Sequence, residues 1–192
     1  MSTAPYAQRL SRPVGWWGIA IFVGSEAMVF GALLVTYFHL RIRNNPWPPH
    51  GVPEPKVAVP LFLTGVLVAT SIPMQYAFLR AKRGAVGDFR FALLIAFTVQ
   101  VTYLALQLHL FIDDLDKFSP SATSYGSIYF TLVGAHHAHV FVGILLSGWL
   151  LLRFARGISP YRLVGLEATT WYWHFVNVLA VIVTLVQVSP SL

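Results

Sequence analysis

The chain has 192 residues, of which 56% are hydrophobic and 10% charged, with a mean hydropathy of +0.66. Soluble domains carry roughly 25% charged residues, so a water-soluble enzyme or binding module is excluded and an integral membrane protein is indicated. The net charge of +6 is no nucleic-acid footprint, because the basic residues sit in short loops without an aromatic-interleaved patch, and the absence of cysteine excludes disulfides, thiolate chemistry and cysteine-ligated clusters.

The first apolar segment, 16–40, is long enough to span a bilayer and carries one carboxylate, Glu26. It is longer than the apolar core of a signal peptide and is not followed by a small-residue cleavage site, so it is expected to remain in the mature chain. A carboxyl at mid-membrane costs roughly 2.5–3.5 kcal/mol on insertion scales. It therefore requires a partner, a proton or a function, and Ser25 and Tyr37 are its expected local partners. The loop that follows, Asn44-Asn45-Pro46-Trp47-Pro48-Pro49, is rich in breakers.

The second segment, 57–79, contains Pro73, which predicts a kink through its missing N–H and its clash with the preceding turn. The third, 91–112, places Gln100, Tyr103 and Gln107 on one face and ends on the acidic run Asp113, Asp114 and Asp116. In the fourth, 125–152, His136 and His139 are three residues apart and share a face, with Gly143 beyond them, while His137 points about 100° away. The fifth, 170–188, aligns Thr170, His174, Asn177 and Thr184 with Glu167 just before it. A polar stripe of this kind must face protein or water, either as an interhelical hydrogen-bond seam or as a proton path. Trp171, Tyr172 and Trp173 fit an interfacial aromatic belt.

Each segment approaches or exceeds the roughly 20 residues of a spanning helix, and together they leave no room for a soluble domain. The prediction is an all-α membrane protein, a single transmembrane domain over 1–192 with five helices. Arg9, Arg12, Arg80, Lys82, Arg83, Arg90, Arg153, Arg156 and Arg162 fall on one side, and Arg41, Arg43, Lys56 and Lys117 on the other. The positive-inside rule then makes the N-terminus cytoplasmic and the C-terminus external. Loops at Arg83-Gly84, Ser119-Pro120 and Ser159-Pro160 separate the later segments. No fixed-period repeat is present, which with an odd number of spans disfavours a small transporter using Glu26 to bind a proton.

Imidazoles on two helices allow a second chemistry. His136 or His139 with His174 would ligate a transmembrane b-type haem if the two helices faced each other at matching depth; structural histidines bonded at both ring nitrogens are the competing reading. Di-iron spacing, phosphate loops and nucleophile elbows are all missing from the sequence.

These residues together resemble subunit III of the haem–copper terminal oxidases, in its short five-helix bacterial form. The first-span segment Gly24-Ser25-Glu26-Ala27-Met28-Val29-Phe30 is similar to the family's Ser-Glu motif, with its membrane-embedded, carbodiimide-reactive glutamate. Trp47-Pro48-Pro49, Pro60-Leu61 with Thr64, Tyr125-Gly126-Ser127 and Gly134-x-His136-x-x-His139-Val140 match further motifs. Glu167 followed by Trp171-Tyr172-Trp173-His174-Phe175-Val176-Asn177-Val178 is similar to the most specific signature. Three departures stand out: Asn177 where aspartate is common, Leu108-His109-Leu110 where a glutamate follows the glutamine at Gln107, and His137 in place of glycine.

The resemblance implies an accessory subunit that carries no haem or copper of its own, those cofactors belonging to partner subunits. It further implies two helix bundles with a cleft that holds phospholipid, and assembly with oxidase subunit I, subunit II and, where present, subunit IV. Oxygen would be reduced in subunit I with electrons from cytochrome c or, in quinol oxidases, from quinol, and the subunit would sustain proton uptake and stability in a bacterial inner membrane. The residues it marks are Glu26, His136, His139, Glu167, His174 and Asn177 for proton or cleft roles. Arg80, Lys82 and Arg83 are expected at lipid headgroups, at about 1 kcal/mol each for an anionic surface.

Overall fold

The computed structural model describes residues 14–154 and 160–191; Arg9, Arg12, Arg156 and Ser159, used above for charge bias and a loop, lie outside the described residues. In a hydrocarbon medium every backbone N–H and C=O must be satisfied within the segment, and an apolar chain achieves this as helix. Six helices result among the described residues: α1 (Val14–Arg43), α2 (Ala58–Ala69), α3 (Ser71–Lys82), α4 (Val86–Lys117), α5 (Ser124–Phe154) and α6 (Pro160–Val188), with a final 3-10 turn Ser189–Ser191. Helices α2 and α3 form one span, Ala58–Lys82, so five spans are long and apolar enough to cross a membrane.

The helices run past the apolar segments: the third span covers Val86–Lys117 rather than 91–112, and the last starts at Pro160 rather than 170. Hydropathy marks the stretch that lipid contacts, whereas helix ends are set by turns and caps. Thus α3 stops at Gly84, whose φ of +76° reverses the chain at little steric cost.

The helix of the second span is interrupted three residues before the proline. Pro73 has no N–H to offer the carbonyl of Ala69, so the ladder breaks at Thr70. There the Thr70 N–H and hydroxyl both turn back to the Leu67 carbonyl, at 3.0 and 2.6 Å.

The α2–α3 span packs on α4 and α6, and α5 packs on the same two helices, while α1 lies only against α5 and α6 among the described residues. Accordingly 6% of the most apolar stretch of α1 is buried, against 56% for the last span. Trp173 is central to the core: it is fully buried, stacks over Gly143 where a Cβ would come within 2.7 Å of the indole, and donates its N–H to Ser147 Oγ at 2.8 Å. This corrects the expected aromatic belt. Trp171 is exposed, but Tyr172 and Trp173 face the bundle interior, because adjacent residues on a helix point about 100° apart.

The two ends of the bundle differ in charge. Arg80, Lys82, Arg83, Arg90, Arg153 and Arg162 gather at one end, where Arg90 Nη2 donates to the Phe154 carbonyl and Arg80 pairs with Asp88 at 3.5 Å. The other, acidic end carries Asp113, Asp114 and Asp116. It is closed by aromatic contacts among Tyr37, Trp47, Tyr125 and Tyr129.

Candidate functional site

The 3- and 4-residue spacing of α1 turns Ile19, Val23, Glu26 and Phe30 toward the bundle. Near the middle of α1, Glu26 Oε2 lies 2.9 Å from Nε2 of His139, near the middle of α5. The side chains are 23% and 18% exposed respectively, so the contact is largely withdrawn from its surroundings. The expected local partners are engaged elsewhere. Ser25 donates to its own helix at the Phe22 carbonyl (2.8 Å), and Tyr37 OH donates to the Val186 carbonyl (3.1 Å) while accepting from Trp47 Nε1 (3.1 Å). No local signal could have revealed His139, which is 113 residues from Glu26 in the chain.

The hydrogen bonds fix the protonation logic of the pair. His139 Nδ1 sits 2.7 Å from the Ala135 carbonyl, and a carbonyl only accepts, so Nδ1 carries a hydrogen. The remaining contact then holds a single proton, either on the carboxyl, donating to a neutral imidazole, or on Nε2, donating to a carboxylate. Both arrangements are net neutral, which is what a lipid-embedded pair requires. The Phe30 ring stands edge-on to the imidazole at 5.1 Å, and Tyr172 OH donates to the His139 carbonyl at 2.9 Å.

One turn along α1 from Glu26, an apolar groove of about 460 Å³ separates α1 from α6. Trp16, Ile19 and Val23 line one wall, and Trp171, His174 and Phe175 the other. No cation lines it.

The other expected site residues are spread over different contacts. His136 is buried and turns to α4, its Nε2 3.4 Å from Tyr103 OH. A three-residue step rotates a side chain by about 60° on a helix, so His136 and His139 reach two different neighbours rather than one. His174 meets Ser71 Oγ (3.4 Å) and Gln75 Oε1 (3.3 Å) on α3, and Asn177 Nδ2 donates to the same Ser71 Oγ at 2.7 Å. Thr184 shares a 2.7 Å hydrogen bond with Thr64, whereas Thr170 bonds back to Leu166 within its own helix. No ion pair or hydrogen bond to Glu167, which is partly buried, is seen among the described residues. The stripe on α6 is thus an interhelical seam at His174, Asn177 and Thr184 and is interrupted at Thr170.

Haem ligation would need a nitrogen of His136 or His139 and one of His174 to face a common space. They turn instead to α4, α1 and α3 respectively. Among the described residues no group of three His, Asp or Glu side chains is arranged to hold a metal ion. At the arginine-rich end, Arg80 is occupied by Tyr76 OH (2.8 Å) and Asp88, Lys82 lies over the Phe78 ring, and Arg83 is exposed.

Comparison with known proteins agrees with the motif order. Residues 11–188 match the family described as Cytochrome c oxidase subunit III. Curated relatives named cytochrome c oxidase subunit 3 include one from Lumbricus terrestris, 32% identical over 172 residues, covering 84% of this chain and 64% of the relative. Another, from Loxodonta africana, is 32% identical with the same coverage, and one from Gallus gallus is 31% identical over 170 residues. The chain spans 64% of the length of these relatives.

Proposed function

The chain belongs to the cytochrome c oxidase subunit III family, and from that premise we propose that it is the accessory, non-catalytic subunit of a bacterial haem–copper oxidase. In this reading it docks on subunit I, with subunit II and, where present, subunit IV completing the complex. Haem, copper and oxygen reduction belong to the partners, and the electron donor is cytochrome c. Its own contribution is to hold phospholipid, sustain proton uptake into subunit I and stabilise the assembly in the inner membrane, with the arginine-rich end cytoplasmic.

The observation that carries this reading is the Glu26–His139 pair, 2.9 Å apart near the middle of two span-length helices and beside an apolar groove. The single proton that the net-neutral pair holds can reside on the Glu26 carboxyl, the form that carbodiimide reaction requires. The groove suits acyl chains because its walls are aromatic and aliphatic. Lys82 and Arg83, exposed at the arginine-rich end, supply charge for anionic headgroups.

The test is purification through a tag on this chain in mild detergent, with a visible spectrum and mass spectrometry of the proteins that co-elute. Haem bands, copper and two larger partners are expected. A haem band that persists when this chain is isolated alone would overturn the reading in favour of a b-type cytochrome. Carbodiimide labelling is expected at Glu26 and is lost in Glu26→Gln; unchanged labelling in that variant would remove Glu26 as the reactive acid.

A further inference from the structure

The polar face of α4 finds no use in the oxidase role. Gln100, Tyr103 and Gln107 are all buried, at 0%, 2% and 7% exposure. Tyr103 and Gln100 meet polar side chains from two other helices, α2 and α5. Gln107 Nε2 donates to Tyr103 OH at 3.3 Å, and Tyr103 OH lies 3.4 Å from His136 Nε2 and against the Thr64 hydroxyl. Thr64 in turn shares its 2.7 Å hydrogen bond with Thr184. A file of hydroxyl, amide and imidazole groups therefore runs between α2, α4, α5 and α6.

Both ends of this file are open to further partners. Toward the acidic end a cavity of about 30 Å³ lies between α2, α4 and α6, lined by Pro60, Leu110 and Gln187 and by the charged groups of Asp114, Lys56 and Lys117. One water needs about 10–15 Å³. One helical turn inward from Pro60, Leu110 and Gln187 come Thr64, Gln107 and Thr184, so the file begins where the cavity ends. At the deep end His136 Nδ1 and Gln100 Nε2 are buried with no hydrogen-bond partner, although such atoms are nearly always satisfied by protein or ordered water. The bonds of 3.3 and 3.4 Å are longer than the usual range, leaving each group free to exchange a partner for water.

We infer that this file holds ordered water and connects the aqueous phase at the acidic end to His136, giving protons access to a histidine buried in the bundle. Each hydroxyl or water accepts a proton from its outer neighbour and passes its own inward, so the relay groups end unchanged. The one net change is a proton gained at His136 Nε2, the ring nitrogen that faces Tyr103 OH, or returned from it by the same route. The titratable groups around that ring are Tyr103 on α4 and His137 and His139 on its own helix; α2 and α6 contribute the neutral hydroxyls of Thr64 and Thr184. The route depends only on the packing of the four spans and stands apart from the oxidase assignment.

Exchange of the imidazole C2 hydrogen for deuterium tests this, because it requires both water and transient protonation of the ring. The intact membrane protein, with whatever partners it retains, is incubated in D2O and His136 is followed by mass spectrometry. His136 is expected to exchange within days, and at least tenfold more slowly in Thr64→Val/Thr184→Val, which keeps side-chain shape and removes both hydroxyls. Gln187→Leu, at the cavity mouth, provides a second route block should the double variant fold poorly, and is expected to slow exchange as well. No exchange at His136 in the unmodified protein, or an unchanged rate in the folded variants, would overturn the inference.

Discussion

Breaking the Glu26–His139 contact from each side measures whether the pair is a coupled unit. With both side chains more than three-quarters withdrawn, the hydrogen bond would be worth about 1.5–3 kcal/mol in a soluble protein. Double-mutant cycles in membrane helices average about 0.6 kcal/mol and reach about 1.7, because the unfolded chain in lipid also finds partners. The expected coupling is therefore about 1–2 kcal/mol. His139→Leu leaves a carboxyl without a partner near the middle of a span-length helix and is expected to cost about 2–3 kcal/mol, near the insertion penalty of that group. Glu26→Leu leaves Nε2 unmet, at about 1–3 kcal/mol. Glu26→Gln should cost under about 1 kcal/mol: the Ala135 carbonyl holds the hydrogen on Nδ1, so Nε2 is an acceptor that an amide N–H can satisfy. Thermal unfolding in mild detergent of the parent, both leucine variants, their double and Glu26→Gln gives the cycle. Losses that add within about 0.5 kcal/mol, or a Gln variant as unstable as the Leu variant, would refute the reasoning.

Other substitutions probe the core, the groove and the charged end. Gly143→Ala places a methyl 2.7 Å from a buried indole that Ser147 holds in place, so unfolding measurements should show a loss of about 1–3 kcal/mol from overpacking; Gly134→Ala, whose methyl would meet Phe111 at 3.6 Å, should stay within about 0.5 kcal/mol. Trp171→Ala removes a half-exposed groove wall. It is expected to leave stability within about 0.5 kcal/mol while lowering the phospholipid that co-purifies, counted by mass spectrometry. Lys82→Gln and Arg83→Gln should each weaken binding to anionic vesicles by about 1 kcal/mol, and Arg80→Gln by less, since Arg80 is already paired with Asp88 and Tyr76.

Composition and periodicity were enough to specify an all-helical membrane protein, its five spans and the single carboxyl in the first of them. Those properties are set by the cost of bare backbone and charge in lipid, which acts residue by residue along the chain. The order of motifs, from Ser25-Glu26 through His136 and His139 to the Trp171–Val178 run, was equally legible and led to the family. Pro73 announced a kink, but only the ladder at Ala69 and Thr70 decided where the helix breaks. The partner of Glu26 could not be read, because helix packing brings it to a histidine on the fourth span and turns the nearer Ser25 and Tyr37 elsewhere. The same holds for His136 and His139, alike in one dimension and parted by about 60° of rotation into two interhelical contacts, and for Trp173, which its neighbours suggested for the interface and which lies on Gly143 in the core. Local energetics act through sequence spacing, whereas partner choice between helices follows from rotation and depth, which exist only once the helices have packed.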